Sequence, residues 1–287
     1  PPRSTLFPYT TLFRSLEEEL KKSNLTLRHF PQSFEHSTLG GWIATRSGGH
    51  FATLYTHIDD FVESTTMVTP SGVIESRRLP GSGAGPSPDR MVIGSEGILG
   101  VITEAWMRLQ ERPKFRASCP VLFDDYEDAL SATRLISQSA LFPANCRLLD
   151  ANEALFNGAG DGSKHLLILS FESADHDMDA WLKRSLEIAS EAGGQYELPE
   201  EKKEDAHKSG ASGTWRNSFI RAPYYREASV RRGIIQDTFE TSITWDKGFE
   251  FIETLKERAS KAIKEISGKE STVTCRLTHT YPDGLAP

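Results

Sequence analysis

Apolar runs of strand length alternate with helical patterns from Phe115 onward, and this alternation constrains the fold more than any other feature of the chain. The runs are far too short to span a bilayer, while the helical segments carry apolar residues three and four positions apart. Pro113 stands where the pattern begins. The sequence therefore predicts an α+β domain, in which an antiparallel sheet carries helices on one face, with a domain boundary near Pro113.

Individual elements follow from the same periodicities. Strands are predicted at 115–123, 146–149, 164–172, 233–242 and 273–280, and helical segments at 126–140, 152–156, 176–194 and 246–268. Asp124 or Asp125 is the predicted N-cap of the helix at 126–140. One side of the helix at 176–194 carries Trp181, Ser185, Ile188 and Ala192. The helix at 246–268 is predicted to bury the stripe Phe251, Ile252, Leu255, Ala259, Ile263 and Ile266.

Both ends predict an internal piece of a longer protein. Residues 1–15 have no helical or strand period and resemble translated sequencing adapter, so they are excluded from fold reasoning. Residues 16–23 are typical of the tail of a helix whose start is missing. At the other end, the strand at 273–280 enters a Pro-Asp-Gly turn, and no strand is predicted to receive it.

Charge and cysteine content exclude some functions. The 287 residues have a formal net charge of -7 and a pI near 5.7, which argues against a general nucleic-acid binder. The three cysteines are Cys119, Cys146 and Cys275. They are widely spaced and form no CxxC motif, so reduced, buried thiols are predicted rather than disulfides or a metal site.

Two glycine pairs lie among small hydroxyl residues in the segment HFPQSFEHSTLGGWIATRSGGH, residues 29–50. Gly40-Gly41 and Gly48-Gly49 permit backbone conformations and close approaches that a Cβ would block. The hydroxyl residues beside them are Ser37, Thr38, Thr45 and Ser47. Backbone N–H groups in such a segment suit a diphosphate or a flavin edge, but a glycine-bearing turn beside a packed helix explains the same residues. The spacing is not that of a G-x-G-x-x-G dinucleotide fingerprint.

A second glycine-rich segment, GSEGILGVITEA at 94–105, predicts a compact turn that feeds a strand. Between the two segments, 61–68 and 73–76 predict a hairpin around the turn Thr69-Pro70-Ser71-Gly72. Taken alone, the turn at 94–100 indicates little about function. Its distance from the segment at 29–50 makes the pair specific.

Together these motifs resemble the FAD-linked oxidase family, whose flavin domain is of the vanillyl-alcohol-oxidase or p-cresol-methylhydroxylase (PCMH) type. Their order is most similar to the alkyldihydroxyacetonephosphate synthase branch, and the similarity continues in PANCRLLDAN, FETSITWD and CRLTHTYPDG. It covers residues 16–287. The resemblance implies a partial PCMH-type FAD-binding domain at 16–113 and a substrate or cap domain at 114–287, truncated at its C-terminus.

The resemblance also implies the residues that contact FAD. They lie in three segments: Gln32, Ser33, Phe34, Glu35, His36, Ser37 and Thr38; Thr45, Arg46, Ser47 and Gly48; and Glu96, Gly97, Ile98, Leu99, Gly100, Val101 and Ile102. This chain departs from some relatives at Gln32 and His36, where those relatives carry Asp and Phe.

Two arginines carry the remaining site predictions. Arg147 matches an activity-linked arginine of the synthases, and Arg226 falls where the family places a substrate-binding arginine. The planar fork of an arginine suits a phosphate, although a solvated surface charge is the ordinary alternative for each. Arg231-Arg232 is the alternative if the register differs. The family's acid/base tyrosine is expected just beyond Pro287; Tyr281 aligns elsewhere, and a lone histidine such as His279 is more often a satisfied core or surface group.

Three functions remain open. The first is an FAD-dependent synthase that exchanges the acyl chain of acyl-dihydroxyacetone phosphate for a fatty alcohol, with the flavin N5 atom acting as a covalent trap. The second is an FAD-linked oxidase or dehydrogenase of a 2-hydroxyacid. The third is an inactive, truncated flavoprotein fragment. The expected partners are a lipid-like or small phosphorylated substrate, no nucleic acid, and a second copy in a homodimer. A cytoplasmic location, peripheral to membranes, is expected.

Overall fold

A computed structural model describes residues 13–79, 87, 89–198 and 210–287 of the chain. The chain divides into two compact units. The first comprises the residues up to His50 together with Tyr55–Arg112, and the second comprises Phe51–Leu54 together with Pro113–Pro287. The division at Arg112 and Pro113 lies beside the predicted boundary, whereas the sequence pattern does not predict that Phe51–Leu54 belong to the second unit.

The first unit combines short helices with an antiparallel sheet. Its helices are α1 (Phe13–Lys21), α2 (Leu39–Thr45) and α3 (Asp89–Val92), and its strands are β1 (Leu25–Thr26), β2 (Val62–Thr69), β3 (Gly72–Glu75), β4 (Val101–Met107) and β5 (Gln110–Glu111). The strands β3, β2 and β4 form one sheet in that order, and β1 pairs with β5. The predicted hairpin at 61–76 is present as β2 and β3, closed across Thr69 and Gly72. Residues 13–15 form the first turn of α1, so this helix begins inside the segment predicted to be non-native.

The core of the first unit lies around α2. Its buried members are Leu27, Trp42, Ile43, Ile58, Phe61, Val62 and Ile93. In α2 only Trp42 and Ile43 are buried, while Leu39 is partly buried against the same core. The remaining positions of this seven-residue helix are Gly40, Gly41, Ala44 and Thr45, so the rest of its surface is backbone and small side chains.

The second unit is built on the predicted alternation. Its strands are β6 (Phe115–Phe123), β7 (Asn145–Leu149), β8 (His165–Ser173), β9 (Ile243–Thr244), β10 (His279–Thr280) and β11 (Gly284–Ala286), and its helices are α4 (Tyr126–Gln138), α5 (Ala151–Phe156), α6 (Asp179–Glu191), α7 (Gly210–Val230) and α8 (Gly248–Ser267). The main sheet has the order β6-β8-β7 and is antiparallel throughout, as predicted. Asp125 is the N-cap of α4, accepting hydrogen bonds from the N–H groups of Glu127 and Asp128.

The two faces of this sheet are covered differently. Leu167, Leu169 and Phe171 of β8 enter the main core with residues of α4 and α6. The alternate residues Leu166 and Ile168 form a smaller cluster with Leu149 and Ala154, the latter on α5. Helices therefore pack on both faces rather than on one, because β8 is apolar at successive positions and a strand sends successive side chains to opposite faces.

Two predicted strands differ from the structure, and a strand that was not predicted follows the Pro-Asp-Gly turn. Residues 233–242 are irregular and follow the long helix α7, which the sequence pattern does not predict; Ile235 of this segment is 88% exposed. Of the strand predicted at 273–280, only His279–Thr280 forms a strand, with an isolated bridge between Arg276 and Leu149. The Pro-Asp-Gly turn is followed by a receiving strand, β11, which pairs with both β10 and β9.

The helix stripes also need correction. In α8 only Gly248 and Ile252 are buried, while Ile263 is 42% and Ile266 is 89% exposed, so the predicted core stripe covers only the first turns. In α6 the buried residues are Leu182, Ser185, Leu186, Ile188 and Ala189. Trp181 lies at the surface of α6 at 36% exposure. No helix within the described ranges is both long and apolar enough to cross a membrane.

Candidate functional site

The loop before α2 is tied to that helix by its own hydroxyl groups. Thr38 is the N-cap of α2, and its Oγ1 accepts a hydrogen bond from the Gly41 N–H at 3.2 Å. The indole N–H of Trp42 donates to Ser37 Oγ at 2.6 Å, and the Ser37 hydroxyl donates to the carbonyl of Ser33 at 2.7 Å. The predicted segment 32–38 is therefore folded against the start of α2.

The segment after α2 reverses direction through a left-handed residue. Arg46 is the C-cap with φ 52°, and its backbone N–H donates to the carbonyls of Ile43 and Trp42. The N–H of Ser47 also donates to Trp42, and the Ser47 carbonyl accepts from the Ile58 N–H, both at 3.0 Å. Both backbone polar groups of Ser47 are thus engaged, which sets the position of its side chain.

Arg46 is braced by an ion pair across this turn. Its Nη2 lies 2.8 Å from Asp59 Oδ2, and its Nε donates to the same oxygen at 3.2 Å. Burial acts to raise the pKa of Asp59, but the hydrogen bond and the charge of Arg46 outweigh burial, so the pKa of Asp59 is lowered overall. The hydrogen bonds that Arg46 donates to Asp59, followed by the charge of that carboxylate, raise the pKa of Arg46. The carboxylate thus holds the guanidinium at the edge of the loop.

The glycine-rich turn at 94–100 docks on the C-terminal end of α2. The N–H groups of Gly94 and Glu96 donate to the carbonyls of Ile43 and Ala44 at 2.9 and 2.8 Å. The last carbonyls of a helix have no intrahelical hydrogen-bond partners, and this turn supplies N–H donors to two of those carbonyls. The turn takes left-handed backbone at four positions: Gly94, Glu96, Gly97 and Gly100.

Gly100 also makes a close approach that only glycine allows. A Cβ there would lie 2.3 Å from the carbonyl oxygen of Val68 on β2. Gly97 differs, because a Cβ at that position would meet no heavy atom within 4 Å. The three predicted segments, 32–38, 45–48 and 96–102, therefore converge on one short helix. Gly97 and its neighbour Ile98, which is 85% exposed, form the open side of the turn.

These residues fit a flavin cofactor in one respect and differ from expectation in another. Exposed apolar side chains, Ile98 and Val101, stand beside glycine backbone and the first turn of a helix, which together suit an aromatic ring system carrying a diphosphate. The hydroxyls of Ser37, Thr38 and Thr45, however, are engaged in hydrogen bonds within the unit. They brace the loops, so backbone groups are the better placed ligand donors.

Arg147 lies deep in the second unit. It stands on β7, is 1% exposed, and donates from Nη2 to the carbonyl of Thr278 at 3.3 Å. Burial, assisted by the charge of Arg276, lowers the pKa of Arg147 to about 9, and the charge of Glu240 acts in the opposite direction. Arg147 is therefore not a solvated surface charge. It is a cation held in a low-dielectric setting, where attraction for an anion is strong.

A buried ionic network that the sequence analysis misses lies beyond the end of β7. Asp150 caps α5 by accepting from the Glu153 N–H, and its Oδ2 accepts from the Cys275 N–H at 2.8 Å and lies 3.1 Å from Lys256 Nζ. Glu153 in turn accepts from Arg276 at 3.0 Å and from the Thr274 hydroxyl. The sequence feature that could have predicted this network is the acidic pair Asp150 and Glu153, which directly follows an apolar strand.

The remaining predicted residues are placed as follows. Arg226 lies on α7 rather than beside a strand; its side chain is 65% exposed and lies 3.5 Å from Asp237. His279 is 3% exposed, with Nδ1 3.7 Å from Glu240 Oε1. All three cysteines are free; Cys119 and Cys146 are buried as predicted, whereas Cys275 is only partly buried. Burial raises the pKa of Cys119 to about 11, of Cys146 to about 12 and of Cys275 to about 11. The described part of the chain contains no cluster of metal-ligating side chains.

Two family models match the sequence. Residues 112–287 match the model described as "FAD linked oxidases, C-terminal domain", and residues 11–76 match the model described as "FAD binding domain". The first match covers more than half of the chain and the whole of the second unit apart from Phe51–Leu54. The second match contains two of the three segments that converge on α2.

Similar proteins include synthases and dehydrogenases. Alkyldihydroxyacetonephosphate synthase of Dictyostelium discoideum is 31% identical over 94% of this chain and 47% of its own length, and that of Caenorhabditis elegans is 27% identical over 94% and 49%. The mitochondrial D-lactate dehydrogenase [cytochrome] of Arabidopsis thaliana is 36% identical over 40% of this chain and 20% of its own length.

Two solved structures of alkyldihydroxyacetonephosphate synthase, both 27% identical, match with TM-scores of 0.75 and 0.78. Each match covers 96% of this chain, and 55% and 52% of theirs. The chain thus spans about half the length of the curated synthases it matches.

Proposed function

This chain belongs to the FAD-linked oxidases, and on that premise we propose that it supplies flavin-contacting loops and a phosphate-binding substrate domain to an alkyldihydroxyacetonephosphate synthase-like enzyme. The proposed reaction exchanges the acyl chain of an acyl-dihydroxyacetone phosphate for a long-chain alcohol. FAD is the cofactor of the family to which the chain belongs. The substrate and the reaction are the proposal.

The observation that carries the cofactor part is the convergence of three separate segments on α2. Segment 32–38 is bound to the start of the helix, segment 45–48 continues from its end, and the turn at 94–100 donates two N–H groups to its last carbonyls. Residues 45 and 96 are far apart in sequence, so their joint position is a property of the fold. We assign all eighteen residues predicted in these segments to the cofactor-facing region.

Coverage favours a synthase over a dehydrogenase. The similarity to the synthases runs through 94% of the chain and so includes the second unit, whereas the similarity to the D-lactate dehydrogenase covers 40%. Flavin-site motifs report the cofactor, while the substrate is read by the second unit. Similarity that extends across the second unit therefore supports a shared substrate class.

When bound, FAD supplies the bond-making chemistry of its flavin ring, and the protein supplies binding, orientation and electrostatics. In this chain, the loops around α2 hold the cofactor-facing backbone in position. The buried guanidinium of Arg147 offers a planar pair of donors to a phosphate in a setting of low dielectric. Arg226, on α7, is assigned as a second, exposed contact for the same anion. Two arginines bound to the phosphate would orient it and leave the acyl-bearing end free to react.

A 2-hydroxyacid dehydrogenase is the second candidate. It is favoured by the higher local identity, 36% over 116 residues, to the Arabidopsis D-lactate dehydrogenase. A carboxylate, like a phosphate, pairs with an arginine fork, so Arg147 serves either substrate. The two candidates differ in redox outcome: the dehydrogenase needs a net electron acceptor, and the synthase does not.

The substrate would be lipid-like and phosphorylated. Because the chain has a net charge of -7, such an anion needs a local cationic site, and Arg147 supplies one. A homodimer and a cytoplasmic location peripheral to membranes remain proposals from the sequence. Sedimentation and vesicle flotation of the purified chain test them separately.

Flavin fluorescence during titration of the purified chain with FAD tests the cofactor assignment. We expect saturable binding, and we expect Gly97→Ala to weaken it because a methyl group would occupy the open side of the turn. Gly233→Ala is the matched control: Gly233 has a similar positive φ and equally open surroundings but lies outside the three segments. Equal affinity in both variants would contradict the placement of FAD at this turn.

Turnover assays separate the two reactions. The loaded protein is supplied with acyl-dihydroxyacetone phosphate and a long-chain alcohol in one assay, and with a D-2-hydroxyacid and an artificial electron acceptor in the other. Formation of the ether product without acceptor supports the synthase. Reduction of the acceptor by the hydroxyacid alone would replace the synthase with the dehydrogenase.

A further inference from the structure

His29 is a buried polar side chain that stands outside all three predicted cofactor segments. It is 0% exposed, and its Nε2 lies 2.9 Å from Ser47 Oγ. Its ring meets the Trp42 indole edge-on at a centroid distance of 5.4 Å and the Phe61 ring at 5.7 Å. A histidine in an apolar pocket has its ring plane set by such packing, so the direction of its Nε2 is set as well.

The chain makes room for this ring with a glycine. A Cβ on Gly49 would lie 2.8 Å from His29 Nδ1 and 3.2 Å from Cε1. Gly49 itself is held in place, because its N–H donates to the Thr56 carbonyl at 2.7 Å. The second glycine pair, Gly48-Gly49, therefore has a packing role that the sequence does not reveal: it lets the His29 ring approach the loop that follows α2.

His29 touches structures that lead to two of the cofactor segments. One is Ser47, whose backbone N–H and carbonyl are both engaged, so that the His29 contact completes the fixation of its side chain. The other is Trp42, which holds Ser37 through its indole N–H at 2.6 Å. His29 thus contacts Ser47 of the loop after α2 directly and reaches Ser37 of the loop before α2 through Trp42.

We infer that His29 is a positioning residue, which holds segments 32–38 and 45–48 in their cofactor-binding arrangement through the Ser47 hydroxyl and the Trp42 indole. This inference rests on the proposed function, because the arrangement matters only if FAD binds there. His29 need not touch the cofactor. Its effect reaches FAD through Ser47 and through the chain from Trp42 to Ser37.

Three variants of the full chain test the inference. His29→Phe keeps the aromatic volume and removes the hydrogen bond, His29→Gln restores a polar group near the position of Nε2, and Ser47→Ala removes the other partner. We expect His29→Phe to weaken FAD binding about 2- to 13-fold, the effect of losing one ordinary hydrogen bond. We expect His29→Gln to recover most of that loss. The double variant His29→Phe with Ser47→Ala should bind no more weakly than Ser47→Ala alone.

Amide hydrogen exchange of the cofactor-free chain supplies an independent readout. His29→Phe and Ser47→Ala remove the same hydrogen bond and should each speed exchange in 45–49 about 2- to 13-fold, whereas His29→Ala, which also removes the ring that packs against Trp42, should speed exchange in 33–38 as well. Additive losses in the double variant, or no recovery in His29→Gln, would mean that His29 does not act through its hydrogen bond to Ser47, and the inference would fail. If the unsubstituted chain binds no FAD, both the proposed function and this inference fail. If FAD binds and neither readout responds to His29→Phe, the inference alone is overturned.

Discussion

At the scale of single residues, the pKa of Arg147 differs clearly from that of a solvated arginine. Burial lowers its pKa to about 9, compared with an ordinary value of 12.5, which means that the fold disfavours the charged form. The penalty is present in full below pH 9 and diminishes as the pH rises toward 12.5. A buried cation kept at such a cost is typical of an anion-binding site.

We expect Arg147→Met to lower the affinity for dihydroxyacetone phosphate at least about tenfold at pH 7.5, since the bidentate donors are lost. The free energy of unfolding should fall by no more than about 1 kcal/mol, or should rise, because an apolar side chain of similar length replaces a buried charge. Calorimetric titration and urea unfolding measure the two effects. Arg258→Met, at an exposed position of α8, is the control and should change neither. A large loss of stability with unchanged affinity would show that Arg147 is structural.

At the scale of elements, the network of Asp150, Glu153, Lys256 and Arg276 joins α5, α8 and the segment before β10 to the end of β7. Asp150 is 2% exposed and accepts from two backbone N–H groups as well as facing Lys256. Removing one member of a buried ion pair leaves the others uncompensated. This network, together with Ile252 and Phe251 at the main core, attaches α8, whose other apolar residues are more exposed.

We expect Asp150→Ala to lower the free energy of unfolding by about 3–5 kcal/mol. Glu253→Gln is the control: Glu253 lies 3.7 Å from Lys256 but is 53% exposed, so its loss should cost less than about 1 kcal/mol. Urea unfolding followed by tryptophan fluorescence measures both. Comparable effects of the two substitutions would contradict a buried network.

The same network predicts a pH dependence. Burial acts to lower the pKa of Lys256, but the charge of Asp150, the hydrogen bond to Asp150 and the charge of Glu253 together outweigh burial and raise the pKa overall above 10.5. A raised pKa means that the stabilisation is present in full below pH 10.5 and is lost as the pH rises through the folded-state value. The stability difference between the unsubstituted chain and Lys256→Met should therefore be constant from pH 7 to 9 and shrink above pH 10.5. A difference that grows with pH would contradict a raised pKa for Lys256.

At the scale of the whole molecule, the segment Phe51–Leu54 belongs to the second unit, although the residues before and after it in sequence belong to the first. Ala52 is fully buried in the main core of the second unit; its N–H donates to the Ala144 carbonyl and its carbonyl accepts from the Thr280 N–H, both at 2.9 Å. The Thr53 hydroxyl adds a bond to the Pro143 carbonyl at 2.6 Å. These four residues act as a strap across the ends of β7 and β10.

We expect Ala52→Asp to destabilise the second unit by several kcal/mol, because the carboxylate would be buried without a partner. Hydrogen exchange resolved by mass spectrometry should show lost protection in β7 and β10, while α2 keeps its protection. Leu54→Asp is the matched control, since Leu54 is 43% exposed. Loss of protection confined to α2 would place Ala52 in the first unit instead.

Elements whose signal is local could be predicted from the sequence. The strand at 115–123, the helix capped by Asp125, the hairpin at 61–76 and the glycine-rich segments all depend on residues close together in the chain. The elements predicted wrongly lack that property. Residues 233–242 have the apolar and β-branched composition of a strand, yet they find no partner strand among the described residues, and a strand needs a partner to form.

For the candidate site, the sequence by itself determined which segments are glycine-rich and hydroxyl-rich and, through family resemblance, which cofactor they suit. Only the tertiary structure decided that the hydroxyls of Ser37, Thr38 and Thr45 brace their own loops, that Arg147 is buried, and that His29 stands against Ser47. Local pattern reports backbone preference and amphipathicity. Burial, pKa and long-range hydrogen bonds depend on which distant residues meet, and that is settled only when the core has packed.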